Sequence, residues 1–268
     1  MRYFLLAALI ATSLSWLAIV RTDGFSPSIV QGNLLKEKEG IVPYEIREIL
    51  SQDFCYLAKG RQSFVFESRD QKYVIKFFNQ KYFQLPWYSF LLGEKEQLKR
   101  DRRRFFYKNS YALAKEEFGE EILYLHEGPS DSLPIISLVD RASRHFLIDL
   151  NQTPFVLQRK GIPFYQHLRA LYENKGGEAL CTQIDQFLEA VKMRIEKKIA
   201  DADSDVEHNW GVIHGRLFHL DPGRLYYDEN LDADMELRSA TRKLHKWLFK
   251  NYPEIIPYFE KRLSLLFI

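Results

Sequence analysis

The chain has 268 residues, of which 46% are apolar and 28% charged. That excludes wholesale disorder and suffices for one large domain or two small lobes around a cleft. The net charge of +2 singles out no polyanion, so no nucleic-acid partner is expected, and the 20 Phe and 15 Tyr read as core packing rather than base stacking.

Arg2 precedes an uncharged run, YFLLAALIATSLSWLAIV at 3–20, which Arg21 closes. Its length falls between the core of a signal peptide and a full transmembrane helix. Bulky Trp16 stands two positions before Ala18 and spoils a small-x-small cleavage site. Residues 1–21 are therefore read as an uncleaved signal-anchor ahead of a cleaved signal peptide, and the protein is expected to be membrane-associated. The side is open, because Arg2 flanks one end of the run and Arg21, Lys36 and Lys38 the other.

Residues 22–42 are polar, with Gly, Pro and Ser, and read as a linker. A short helix is predicted at 44–52. The stretches FCYLAKG, SFVFESRD and KYVIKFF alternate apolar and polar residues and are parted by Gly60 and by Arg69-Asp70-Gln71-Lys72, which predicts a strand meander. Within it, Lys76 is flanked by Val74, Ile75, Phe77 and Phe78, so its ammonium lies under a sheet and needs an anionic partner. Residues 93–118 are rich in helix formers, and their basic run KEQLKRDRRR reads as a solvated face or a contact for anionic lipid headgroups. EEILYLHE, ISLVDR, HFLIDL and PFVLQRK are further strand candidates. Helices follow from 163, with a break at Gly176-Gly177 and a long helix at about 178–200.

The stretch HNWGVIHGRLFHLDPGRL at 208–225 is read as a hairpin. Val212-Ile213 and Leu217 to Leu220 are its strands, and Gly215 supplies the positive φ of a tight turn. Its ends should bring Asn209 beside Asp221. A zinc site is excluded by spacing, since His214 and His219 stand five apart across a turn. Beyond Asp228 only helices are predicted, with Leu237, Ala240 or Thr241, Leu244 and Leu248 on one stripe. Cys55 and Cys181 are two thiols or one disulfide, which the sequence leaves open. The domain division is 1–21 anchor, 22–42 linker, 43–160 strand-rich lobe and 161–268 helical lobe.

The ordered set KGRQSF, YVIK, Asn209 and Asp221-Pro222-Gly223 resembles the protein-kinase-like superfamily over about residues 57–225. The resemblance implies an α+β, two-lobed kinase-like fold with a reduced helical C-lobe, ATP and Mg²⁺ as cofactors, and a nucleotide as partner. It implies Gly60, Ser63, Lys76 and Gln158 at the nucleotide, with Lys76 on the α/β-phosphates. It implies Asn209 and Asp221 on metal. The sequence departs from the family in three places. Only Gly60 remains of the glycine-rich loop, with Val65 where a third glycine would stand. The usual base position, five before Asn209, is Ser204, so Asp203 is preferred as base over Asp205, with Asp201 assisting. No Ala-Pro-Glu follows. A glutamate partner for Lys76 is open between Glu116 and Glu117, with an insertion at 79–95. The expected activity is transfer of phosphate from Mg-ATP to a small-molecule, lipid or glycan hydroxyl; the alternative is a pseudokinase scaffold.

Overall fold

The computed structural model describes residues 12–13, 15–32, 38–60, 62–83 and 93–266. Most of the predicted N-terminal hydrophobic helix, residues 1–11 and 14, lies outside them, as do Arg61 and residues 84–92 of the expected insertion. Residues 15–22 are helical, with Trp16, Leu17, Ile19 and Val20 exposed. Among the described residues no helix is long and apolar enough to cross a membrane. The chain divides into two units, 1–104 with 122–160, and 105–121 with 161–268.

In the first unit, β-branched and aromatic residues at alternate positions build strands. In chain order these are β1 (Phe54–Lys59), β2 (Ser63–Ser68), β3 (Tyr73–Phe78), β4 (Ile122–His126), β5 (Ile135–Val139), β6 (His145–Asp149) and β7 (Phe155–Arg159). They form one sheet in the order β4-β7-β3-β2-β1-β5-β6. Every neighbour is antiparallel except β1 and β5, where Phe54 faces Leu138 in a parallel pair. Phe64 and Phe66 of β2, Ile75 and Phe77 of β3, and Phe155 and Leu157 of β7 share one face and form its core. The phenylalanines touch edge to face, Phe25 to Phe66 at 5.0 Å and Phe66 to Phe77 at 5.8 Å between centroids, which is the packing use expected of them.

Residues 22–42, polar by composition, carry three anchors of this core. Phe25, Val30 and Val42 are all buried in it. Helix α1 (Pro27–Val30) and helix α2 (Tyr44–Ile49) are short helices of this region and its continuation. The Glu39 carboxylate accepts hydrogen bonds from Tyr124 Oη at 2.8 Å, from the Gly128 N–H at 2.8 Å and from the Glu127 N–H, and lies 2.9 Å from His126 Nδ1.

In the second unit, α3 (Glu94–Phe118) contributes its residues from Phe105 onward. A three-stranded sheet runs β11-β10-β8, with β8 at Ile162–Pro163, β10 at Trp210–Ile213 and β11 at Arg216–His219. A second small sheet pairs β9 (Ile199–Asp201) with β12 (Leu225–Tyr227). Helix α4 (Phe164–Glu196) is two helices meeting at Gly176, whose φ of 78° and ψ of −173° no helix contains. The predicted break is there. A short helix α5 (Val206–Asn209) precedes the hairpin, and α6 (Ala233–Asn251) and α7 (Ile256–Ser264) follow it. Leu237, Ala240, Thr241, Leu244 and Leu248 are all buried, as the helical stripe requires, and they pack with Phe187, Leu188 and Phe259. Gly161 opens the unit because nothing larger fits: a Cβ there would stand 2.3 Å from the Phe218 ring. Cys55 is exposed and Cys181 half-buried, both as free thiols.

Burial pushes the Glu39 carboxyl up, but the hydrogen bonds from His126 and from the Glu127 and Gly128 amides outweigh it and hold the pKa at about 2, against 4.5 for a free glutamate. Because the folded value is the lower one, this stabilisation is present above about pH 4.5 and is lost as pH falls toward 2. Glu39→Gln should therefore cost about 3 kcal/mol at neutral pH and progressively less below pH 4.5. Urea denaturation of both proteins from pH 7 to pH 2.5 reads this, and a gap that stays constant across the range would contradict it.

Candidate functional site

The hairpin comes first, because it places three of the residues singled out in the sequence. His214 and Gly215 form a two-residue turn with φ of 50° and 78°, the primed geometry whose twist suits a tight antiparallel pair. The register that follows sets Trp210 opposite His219 and Ile213 opposite Arg216. One residue beyond the ladder, the Asn209 carbonyl accepts from the Leu220 N–H at 2.8 Å and from the Asp221 N–H at 3.4 Å. Asn209 and Asp221 are thus neighbours through the backbone. Gly211 lies where a Cβ would meet Leu220 at 2.7 Å, so the glycine lets the ladder close.

The acidic loop is tied to the same asparagine. Asn209 Nδ2 donates to the Asp203 carbonyl at 2.6 Å, and the Asp205 N–H donates to that carbonyl at 2.7 Å. The three aspartates of the loop have separate surroundings. Asp201 accepts from the Asp203 N–H at 2.8 Å; burial pushes its carboxyl up, against the opposing pull of the Arg194 charge. Asp205 is held by Lys243 Nζ at 2.9 Å and His208 Nδ1 at 3.2 Å, and these bonds lower its pKa despite partial burial. Asp203 has a half-exposed carboxylate whose ion-pair neighbour, Arg224 Nε, is 4.0 Å away. Its main chain is clamped while its side chain reaches solvent.

Asp221 Oδ1 accepts from the Gly223 N–H at 3.2 Å and from Tyr111 Oη at 3.2 Å. Tyr111, buried on α3, is a site residue the sequence did not announce, being one of fifteen tyrosines in a helix without a motif. Ser110 beside it donates to the Leu225 carbonyl at 2.8 Å, which fixes the helix against β12. Glu117, one of the two glutamates considered for Lys76, is bonded to Lys197 and to Tyr227 Oη at 3.0 Å within this second unit. The three histidines have unlike roles. His208 and His214 are exposed, while His219 is buried and lies 4.1 Å from the Trp210 ring. Among the described residues no group of three or more His, Cys, Asp or Glu is arranged to hold a metal ion.

The first unit carries the remaining candidates. Lys76 on β3 pairs with Val65 on one side and Val156 on the other, and Val74 pairs with Gln158. Since Ile75 and Phe77 occupy the core face, strand alternation sets Val65, Val74, Lys76, Val156 and Gln158 on the opposite face. Lys76 and Gln158 are both buried there, at 6% and 0% exposure, between valines. Gly60 closes the β1–β2 hairpin, its N–H donating to the Ser63 carbonyl at 2.9 Å. That amide is spent inside the turn. Leu57, skipped by a bulge between Tyr56 and Ala58, is 44% exposed beside this hairpin.

No protein-family model matches the chain, and no curated protein matches it. Among solved structures it is similar to the ROP18 kinase domain in complex with AMP-PNP and sucrose, at 15% identity and a TM-score of 0.36 over 66% of this chain and 52% of that one. It is similar to the bifunctional kinase-methyltransferase WbdD, at 14% identity and a TM-score of 0.38 over 76% and 43%. It is also similar to Rv3197 of Mycobacterium tuberculosis, in complex with erythromycin, at 14% identity and a TM-score of 0.40 over 88% and 60%. The chain spans between 43% and 60% of the length of these structures. Two of the three are named as kinases.

Beneath the acidic loop, Arg194 is 1% exposed, donates to the Ile199 carbonyl at 2.8 Å and meets Glu236 Oε1 at 2.7 Å. The same Glu236 oxygen accepts from the Asp201 N–H at 3.0 Å. Arg194→Met should strand a buried carboxylate and a carbonyl and cost about 3–5 kcal/mol. The double change Arg194→Met with Glu236→Leu should regain much of that loss, because no charge is then left unpaired. Urea denaturation of the two variants measures both; an Arg194→Met cost below about 1 kcal/mol, the scale of a surface pair, would mean that the pair does not hold the loop.

Proposed function

We propose that the chain is a kinase-like phosphotransferase that uses Mg-ATP to phosphorylate a hydroxyl on a small molecule, lipid or glycan, attached to a membrane by its N-terminal segment. The observation that carries the reading is the junction of Asp203, Asn209 and Asp221 through one carbonyl and one side-chain amide. Phosphoryl transfer asks little covalent chemistry of a protein; it asks for cations on the phosphates, oxygens on a metal ion and an acceptor for one proton.

The donor set fits magnesium, which takes few protein oxygens and keeps the rest for phosphate and water. Asn209 gives its Nδ2 to the Asp203 carbonyl, so its Oδ1 is the ligand atom it offers. Asp221 takes both of its bonds from Tyr111 and Gly223 on Oδ1, so Oδ2 is the oxygen it offers. When bound, the ion would neutralise phosphate oxygens as charge shifts to the leaving group. Lys76, buried among valines, supplies positive charge to the α- and β-phosphates, and the same face, with Val65, Val74 and Gln158, suits a flat heterocycle. Asp203 accepts the acceptor's hydroxyl proton as its oxygen bonds to the γ-phosphorus and the bond to the ADP oxygen breaks. Asp205 is unsuited to this, since its carboxylate is engaged by Lys243 and His208.

A second reading, a pseudokinase scaffold, is favoured by one observation. The Gly60 amide is bonded within its own turn, which removes a donor that a phosphate cradle would use. For the membrane attachment, the support is the uncharged run at 3–20 and the exposure of Trp16, Leu17, Ile19 and Val20.

Asp221→Asn keeps an oxygen for Tyr111 and Gly223 and should fold normally, yet lose Mg-dependent ATP binding. Asp203→Asn should keep Mg-ATP affinity within a few-fold and lower turnover by about 10²–10⁴-fold, the size of a general-base contribution. Thermal shift with Mg-ATP, with and without a chelator, reads binding, and ADP release reads turnover. No shift at millimolar Mg-ATP would end the catalytic reading; binding with no turnover in any variant would leave the scaffold.

A further inference from the structure

A cavity of about 610 Å³ lies in the first unit, at the foot of the helical residues 15–22. That is the size range of small-molecule sites. Its floor is apolar and comes from Ile19, Phe25, Ile29 and Phe64. Its charged lining is cationic throughout, from Lys59, Lys81 and Arg144, with no acidic residue among the lining groups.

The charges are only partly satisfied. Lys59 Nζ donates to the main-chain carbonyl of Asp23 at 2.6 Å, lies 5.5 Å from the Phe64 ring centre, and shares the Asp23 carboxylate's charge with Arg141. Arg144 meets the Asp140 carboxylate at 2.7 Å, and its side chain is still half exposed. Lys81 is exposed, and its carbonyl is fixed by Arg100 at 2.7 Å. The nearby Asp23 carboxylate is occupied by Arg141 at 2.7 Å and Tyr56 Oη at 2.6 Å. The helix that leads into the cavity exposes Trp16, Leu17, Ile19 and Val20, each more than 40% accessible. An apolar floor under a cationic rim, continuous with exposed apolar side chains, matches a molecule with an anionic head and a hydrocarbon tail.

We propose that this cavity seats an anionic phospholipid, its phosphate among Lys59, Lys81 and Arg144 and the start of an acyl chain along Ile19 and Ile29. The rim cations select for net negative charge, and the floor selects for the chain over a bare ion. The inference is independent of the phosphotransferase reading. It uses membrane attachment only as the source of the lipid, and a soluble lipid tests it without a bilayer.

Full-length protein in a mild non-ionic detergent is titrated by calorimetry with dihexanoyl-phosphatidylglycerol, dihexanoyl-phosphatidylcholine and inorganic phosphate. The anionic lipid is expected to bind at least tenfold more tightly than either of the others and to weaken as salt rises. Lys81→Glu should reduce its affinity tenfold or more, and Ile19→Asn should reduce it several-fold. Both side chains are exposed, so thermal midpoints should be unchanged; Lys59→Gln, which keeps a donor for the Asp23 carbonyl, gives a second reading of the rim should Lys81→Glu unfold. Equal binding of phosphate and phosphatidylglycerol would reduce the site to a plain anion site and overturn the proposal. Equal binding of the two lipids, or an affinity untouched by the rim variants, would overturn it as well.

Discussion

One buried cation organises the second unit. Arg194 sits on α4 at 1% exposure, where an isolated guanidinium would be costly, and it is tolerated only because Glu236 on α6 meets it and the Ile199 carbonyl takes another of its donors. Glu236 in turn takes the Asp201 N–H. Two helices and the start of the acidic loop are therefore joined at one carboxylate. Above that joint the order is transmitted by short bonds, from Asp201 to the Asp203 N–H, from the Asp203 carbonyl to Asn209 and from the Asn209 carbonyl to the hairpin's far end. The loop has little apolar surface of its own, and its shape comes from this polar chain.

The first unit is organised differently. Its sheet has a phenylalanine-rich face and a second buried face of valines with two polar side chains, and strand alternation divides them. Phenylalanines fill the first, while Lys76 and Gln158 lie among valines on the second. A lysine is expensive to bury on such a face unless its charge is met.

Much of this was legible in the sequence because the signals are local. Gly215 after a pair of apolar residues specifies the turn, Gly176 specifies the break in α4, and the stripe from Leu237 to Leu248 specifies the buried side of α6. The approach of Asn209 to Asp221 follows from hairpin register and needed no other information. What escaped the sequence is set by distance along the chain. Lys243 claims Asp205 across the length of the hairpin, and Tyr111 reaches Asp221 from a helix over a hundred residues earlier; no motif marks either. Arg194 stands in MRIEKK, a charged stretch that looks like a helix surface, yet it is 1% exposed. Phe25, Val30 and Val42 were hidden among polar neighbours, and the parallel pairing of β1 with β5 is invisible in two strands that each look ordinary. The run at 3–20 speaks of membranes by composition, and most of it falls outside the described residues.

His219 stands two residues before Asp221 and packs at a tilt against Trp210, where an ordinary imidazole would take up a proton as its surroundings acidified. Burial, and after it the positive charge of Arg194, hold its pKa down at about 3. Between neutrality and about pH 5 it therefore brings no new charge to the neighbourhood of Asp221. Over that range His219 is an electrostatically silent support of the hairpin. A compartment that acidifies to about pH 5 leaves the field contributed by this histidine unchanged, in a stretch that holds three histidines in twelve residues.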